Sequence, residues 1–340
     1  MDLSHSVLQG DRLALARLLT EIENDSAKGQ QGLNELFKNT GKAHLIGVTG
    51  SPGTGKSSLV NQLALHCRKP TDGSRARRVA VVAVDPTSPF TGGAVLGDRV
   101  RMRELSGDDG VFIRSMATRG SLGGLAAATA GLVQALDAAG YEMIFIETVG
   151  AGQTEVDIAK LAHTTLVVNV PGLGDDVQAI KAGILEIADI LVLNKADRPG
   201  VEAAERALQG MLKLGHPTKR TIMHHGQTMS ADSVDADVTA TDDWIPPIRR
   251  TVATQGKGVA ELAETIAGHR LHLEKTGGWK LRDRARLESE VDTVLQATLM
   301  ARWQENVNGK QYDAVLEQLQ ARELSPRQAV AGLLGGGLPQ

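Results

Sequence analysis

The sequence has almost no cysteine. A single Cys67 in 340 residues excludes an internal disulfide framework and suits a reducing compartment. Aromatic residues make up only 3%, so a core must be built from aliphatic side chains and alanine. Stacking platforms for single-stranded nucleic acid are correspondingly not expected. No charge of one sign dominates: 37 Lys and Arg stand against 40 Asp and Glu, a net charge of −3. Nothing global therefore draws the chain to nucleic acid or to an anionic membrane. No apolar run approaches the roughly 20 residues of a membrane span. The opening stretch shows no basic segment followed by a long apolar one, so no export signal is expected and the cytoplasm is the expected compartment.

What is present is an ordinary globular composition, 41% apolar and 23% charged, long enough for one large domain with smaller attached pieces. Residues 6–23 read as a helix, with Leu15, Leu18, Leu19 and Ile22 on one face. A Gly- and Gln-rich stretch from Lys28 to Gly32 is expected to break that pattern. Between residues 44 and 255, short apolar runs alternate with helical segments. The runs begin at His44, Arg78, Val111, Tyr141, Thr165 and Ile190 and are near-continuous in Val, Ile and Leu. Strands buried on both faces look like this, so an α/β fold with a doubly wound, mostly parallel sheet is expected. Residues 226–243 read as a polar surface loop, and Thr251-Val252-Ala253 as a last strand. Beyond residue 272 the pattern turns helical and charge-dense, with Leu287, Val291, Val294 and Thr298 at helical spacing and Ser325-Pro326 opening a final helix. The expected divisions are a helical N-terminal extension over 1–42, a nucleotide-binding domain over 43–272 and a helical C-terminal segment over 273–340. The C-terminal segment would pack on the main domain or across a dimer interface.

Gly50-Ser51-Pro52-Gly53-Thr54-Gly55-Lys56-Ser57 follows a predicted strand and opens a predicted helix, the context a phosphate loop needs. Its backbone N–H groups and the helix N-terminus suit phosphate oxygens. Gly53, Thr54, Gly55, Lys56, Ser57 and Ser58 are the expected nucleotide contacts. Lys56 would bridge the terminal phosphates, and the Ser57 hydroxyl would ligate Mg²⁺. Asn194-Lys195-Ala196-Asp197 follows another apolar run. Its Asp197 carboxylate can accept the two N–H donors of guanine, a pair adenine lacks; Asn194 would hold the loop, and the Lys195 stem would cover the ring. Ala253 and Thr254 lie where a further base-contacting loop is expected.

Asp85, Asp98 and Glu147 supply acids at strand ends or in a neighbouring loop, the hard oxygen ligands that Mg²⁺ prefers. Glu147-Thr148-Val149-Gly150 resembles the Asp-x-x-Gly loop of other GTPases, in which the glycine senses the γ-phosphate. Gln153, just beyond, is a candidate for orienting the attacking water.

Together these blocks resemble one family, the MeaB/ArgK-type (MMAA-like) GTPases, chaperones of adenosylcobalamin-dependent acyl-CoA mutases. The resembling segments run from Gly47 through the phosphate loop, from Val84 to Met102, from Phe112 to Leu125, from Phe145 to Ala159, from Gly174 to Ile190 and from Leu193 to Asp197. The resemblance implies that Asp85, Asp98 and Glu147 are the magnesium-site acids and that residues 85–102 form a first switch. It also implies that residues 174–187, including Lys181, form a switch that communicates with the mutase, and that the chain is a homodimer through its C-terminal helices. The implied activity is GTP hydrolysis with GTP/GDP and Mg²⁺ as ligands, gating cofactor loading or protection of a mutase of the methylmalonyl-CoA type. Two other readings share the nucleotide architecture. A metal-insertion GTPase of the nickel-chaperone kind would need a Cys/His cluster, for which the sequence offers one cysteine and His224-His225. A P-loop protein kinase would need a catalytic Asp loop that is not visible.

Overall fold

The computed structural model describes residues 2–70, 73–86, 105, 107–118, 124–148, 154–172, 186–215, 223–224, 227–228, 244–306 and 309–334. The chain divides into two compact units, Met1–Leu287 and Glu288–Gln340.

In the first unit, seven strands form one sheet: β1 (His44–Thr49), β2 (Val79–Pro86), β3 (Val111–Thr118), β4 (Met143–Thr148), β5 (Thr164–Asn169), β6 (Ile190–Leu193) and β9 (Ile248–Arg250). Their order is β3-β2-β4-β1-β5-β6-β9, and every neighbouring pair is parallel. A two-residue antiparallel pair, β7 (Met223–His224) with β8 (Gln227–Thr228), stands apart from it. The last strand is Ile248–Arg250, just before the expected Thr251–Ala253. Thr251 N still donates to Leu193 O, but Ala253–Gln255 turns into a 3₁₀ helix, because Ala253 N is taken by the side chain of Asn194.

Helices cover both faces, as a parallel sheet requires. On one face α1 (Leu3–Leu8), α2 (Arg12–Glu23), α3 (Ala27–Leu36), α5 (Gly124–Ala138) and α6 (Thr154–Leu161) supply side chains that pack with Leu45, Val82, Ile144 and Ile146. The alternate strand residues Ile46, Val48, Phe145, Leu166 and Val192 face the other way, onto α4 (Lys56–Arg68) and α8 (Val259–Thr276). A third patch packs Val167, Leu191 and Leu193 against α7 (Val201–Gly215). Leu15, Leu18, Leu19 and Ile22 are buried as their spacing predicts, each contributing roughly 2 kcal/mol.

The expected break after residue 28 is instead helix α3. Ser26 caps it through its side chain and Gly29 N. Its glycines are there for contact: a Cβ at Gly29 would lie 2.6 Å from the Glu21 carbonyl carbon, and one at Gly32 would lie 2.5 Å from Leu18 Cδ1. They let α3 approach α2 closely, which offsets their poor helix propensity.

At the amino-terminal ends of β1 and β5 lies a buried polar cluster. His44 Nε2 and Thr164 Oγ1 are 2.7 Å apart, and Thr164 Oγ1 is 2.8 Å from His269 Nδ1. Leu45 N donates to His163 Nδ1, so the ring proton sits on His163 Nε2 and faces Asp283 Oδ1 at 3.0 Å. Burial holds His44 well below its usual range, reinforced by His163, Arg270, His269 and Arg77. Burial also lowers His163, against the opposing pull of Asp283 and with the help of Arg286 and Arg282. Both rings are therefore neutral near pH 7. In the unfolded chain they protonate near pH ~6.5, so below that value the unfolded state binds more protons and stability falls with falling pH. The melting temperature is expected to decline as pH drops below about 6.5, and His44→Gln should shallow that decline. An unchanged melting temperature down to about pH 5 would contradict the buried neutral rings.

In the second unit, the distal part of α9 (Gly278–Asn306) is followed by α10 (Gly309–Gln320) and α11 (Pro326–Leu333). Ser325 and Gln328 close a capping box, with Pro326 in the first turn, as the sequence predicts. Trp303 packs edge-on to Tyr312 and donates to Leu333 O at 3.3 Å. Among the described residues no helix is long and apolar enough to cross a membrane.

Candidate functional site

The site is built at the carboxyl ends of β1, β4, β5 and β6, where the strand order reverses around β1 and where open parallel sheets bind ligands. β1 ends at Thr49, and the loop Gly50–Gly55 carries the chain into α4. Gly50 has φ +136° and passes so close to β5 that a Cβ would sit 2.2 Å from Val168 O. Gly55, with φ +91°, is the N-cap of α4, and a Cβ there would lie 2.5 Å from Asn194 Nδ2. Having no side chain, Gly55 leaves the first-turn amides of α4 to an incoming anion. Lys56 is buried and donates through Nζ to Gly50 O at 2.7 Å and Ser51 O at 3.2 Å. Its ammonium is thereby held at the mouth of the loop.

Ser57 Oγ lies 2.5 Å from Glu147 Oε1, and both residues are buried. Register explains the meeting: Val48 of β1 pairs with Glu147 of β4, so the acid emerges beside the first turn of α4. A hydroxyl and a carboxylate oxygen sharing one buried point fit the hard, oxygen-seeking character of Mg²⁺. Thr148 Oγ1 and Thr49 Oγ1, 3.3 Å apart, tie the same two strand ends together.

Asn194 is a hub between three loops. Its Nδ2 donates to Thr54 O at 2.8 Å, and its Oδ1 accepts from Thr251 Oγ1 and Ala253 N, both at 3.1 Å. One buried amide thus joins the phosphate loop, the β6 loop and the loop after β9. Lys195 adopts a left-handed backbone, φ +55°, and its Nζ donates to Gly53 O at 2.6 Å. Ala196 N donates to Thr251 O, which leaves Asp197 exposed in the following turn, open to a base edge. Thr254 is exposed and Ala253 is buried.

The structure therefore brings Gly53, Thr54, Gly55, Lys56, Ser57, Glu147, Asn194 and Lys195 into one locus, with Ser58 half-buried in the first turn of α4. Asp85 is the penultimate residue of β2, in register beside Ala117, but its side chain lies outside the described residues. Asp98, Gly150, Gln153 and Lys181 lie outside them altogether. Sequence reasoning missed Thr251 as a partner of Asn194. The signal was weak, since the two are 57 positions apart and only the pairing of β6 with β9 joins them.

A family model described as methylmalonyl Co-A mutase-associated GTPase MeaB matches residues 15–308. A relative from Pyrococcus abyssi, named as a GTPase, is 43% identical over 341 residues, covering 99% of this chain and 98% of that protein. The GTPase ArgK of Escherichia coli is 32% identical over 276 residues, covering 79% of this chain and 75% of its own. A crystal structure of a LAO/AO transport system kinase matches with a TM-score of 0.65 at 24% identity, covering 97% of this chain and 95% of that one, which speaks for the fold. With its P-loop sheet and the loops gathered around Asn194, the chain belongs to the family of methylmalonyl Co-A mutase-associated GTPases, MeaB.

Proposed function

We propose that GTP hydrolysis on this chain is a timing signal to an adenosylcobalamin-dependent acyl-CoA mutase, gating the loading or protection of its cofactor. The observation that carries the reading is the Asn194 hub in a chain of this family. Base identity and phosphate occupancy are read by loops that share one buried amide, so binding of GTP or GDP acts on a single framework.

Lys56 orients and neutralises the terminal phosphates, the first-turn amides of α4 hold their oxygens, and Asp197 selects guanine. Ser57 and Glu147 would hold Mg²⁺, which when bound spreads the charge of the β- and γ-phosphates. Asp85 and Asp98 are proposed as further acids of that site, Gly150 as the γ-phosphate contact, Gln153 as the group that orients water, and Lys181 as part of the mutase-facing switch. Their support is the family match across residues 15–308. A homodimer through the C-terminal helices is supported by the exposed apolar side chains Val291, Val294, Leu295, Leu299 and Met300 at helical spacing on α9. The cytoplasm is the proposed location.

The test is GTP turnover by the purified chain, alone and with a methylmalonyl-CoA mutase carrying adenosylcobalamin. Turnover is expected to rise when the mutase is added, because positioning alone gives slow intrinsic hydrolysis. Equal rates with and without every acyl-CoA mutase tried would sink the proposal.

A further inference from the structure

Asp189 stands immediately before β6, at the opposite end of that strand from Asn194, and its side chain is buried. Its N–H donates to Thr165 O at 3.0 Å, while its Oδ2 accepts from Thr165 N at 2.9 Å. Both backbone groups of Thr165 are thus closed onto one residue, which fixes where β6 begins against β5. At the other end, Asn194 N donates to Asn169 O at 2.8 Å. Only Ile190–Leu193 lie between, so the place of the base loop is set from both ends of a short strand. A slip of one residue would turn every β6 side chain to the other face.

A carboxylate this deep requires a partner. Arg282 on α9, within the first unit, supplies it: Nη1 and Nη2 each donate to Asp189 at 2.7 Å, and Nη1 also reaches His163 O at 2.5 Å. Trp244 Nε1 donates to Asp189 O at 2.7 Å, and His269 Nε2 lies 3.5 Å from Oδ1. Burial alone would raise the Asp189 pKa, but the bonds from Arg282, with His269 and Thr165 N, bring it below the usual carboxylate range. The start of α9 is held independently, by Trp279 stacked on His163 at 3.8 Å and by Asp283 between His163 and Arg286.

We infer that Arg282, through its ion pair with Asp189, is a positioning residue for guanine recognition, holding β6 in the register that presents Asn194, Lys195 and Asp197 to the base. It touches no part of the nucleotide and acts through the strand. The inference rests on reading Asn194–Asp197 as the guanine loop.

The experiment compares binding of GDP with binding of inosine diphosphate, which lacks the 2-amino group that Asp197 would accept. The proteins are the full chain, Arg282→Gln, Arg282→Lys, and the paired change Asp189→Leu with Arg282→Met. The paired change guards against failed folding, because exchanging a whole buried ion pair for apolar residues is tolerated far better than removing one partner. Arg282→Gln is expected to narrow the preference for GDP about tenfold, the worth of one well-aligned hydrogen bond to the base. The KM for GTP should rise while kcat at saturation holds, Arg282→Lys should recover part of the preference, and the folded apolar pair should show the same narrowing. An unchanged preference in a folded variant overturns the inference. So does an equal loss for both nucleotides, which is what general loosening of the fold would give. A wild-type chain blind to the 2-amino group would instead overturn the guanine reading itself, so the two failures are distinguishable.

Discussion

Replacing Lys56 with alanine is expected to lower GTP turnover by about 10²- to 10³-fold, the cost of removing one preorganised charge donor. The ammonium of Lys56 is fixed by the carbonyls of Gly50 and Ser51. It is therefore in place before a phosphate arrives and needs little reorganisation when charge moves onto the leaving β-phosphate oxygens. The loop itself keeps its shape by other means: Thr54 Oγ1 donates to Ser51 O, and Asn194 and Lys195 hold Thr54 O and Gly53 O. The melting temperature should consequently fall much less than activity. Phosphate release in single turnover, beside a melting curve, checks both parts. A fall in turnover smaller than about threefold, well inside the cost of one such donor, would remove Lys56 from the proposed mechanism.

Asn194→Ala is expected to weaken GDP binding by roughly 100-fold and to lower stability as well. The change strips partners from Thr54 O, Thr251 Oγ1 and Ala253 N, in a site where Asn194 and Thr251 are buried. Each polar group left without a partner costs about 1–3 kcal/mol, and roughly 3 kcal/mol corresponds to about 100-fold in affinity. Asn194→Asp separates the two halves of the hub. It keeps an acceptor for Thr251 and Ala253 but places carboxylate oxygen against the Thr54 carbonyl, so binding should be weakened while the β9 loop stays joined. Equilibrium titration with GDP measures both. Wild-type affinity in Asn194→Ala would mean that the three loops are held by something else.

Much of the fold was legible because parallel strands buried on both faces leave continuous Val and Ile runs. Six of the seven sheet strands are where those runs lie, from His44–Thr49 to Ile190–Leu193. The exceptions have local causes. Ala27–Leu36 looked like a break because its glycines and glutamines disfavour a helix in isolation, yet Gly29 and Gly32 are what allow α2 and α3 to touch. The closing strand lies three residues before the expected Thr251–Ala253 because Ile248-Arg249-Arg250 is a half-polar edge strand, while the apolar Val252 and Ala253 belong to the turn that Asn194 captures.

The sequence by itself determined the phosphate loop and the Asn194–Asp197 loop proposed to read guanine, since each is a short run of neighbours whose chemistry depends on backbone turns and side chains only a few positions apart. It also determined the alternation of strands and helices, which is carried by local periodicity. Only the tertiary structure decided which distant groups meet: Ser57 with Glu147, Asn194 with Thr54 and Thr251, and Asp189 with Arg282. Those pairs are 90, 140, 57 and 93 positions apart. They form because β4 is laid beside β1 and β9 beside β6, and because the chain returns from α8 to place Arg282 of α9 against Asp189 and the His163 carbonyl. Strand order and register result from packing the whole sheet at once, so no local window of residues contains them.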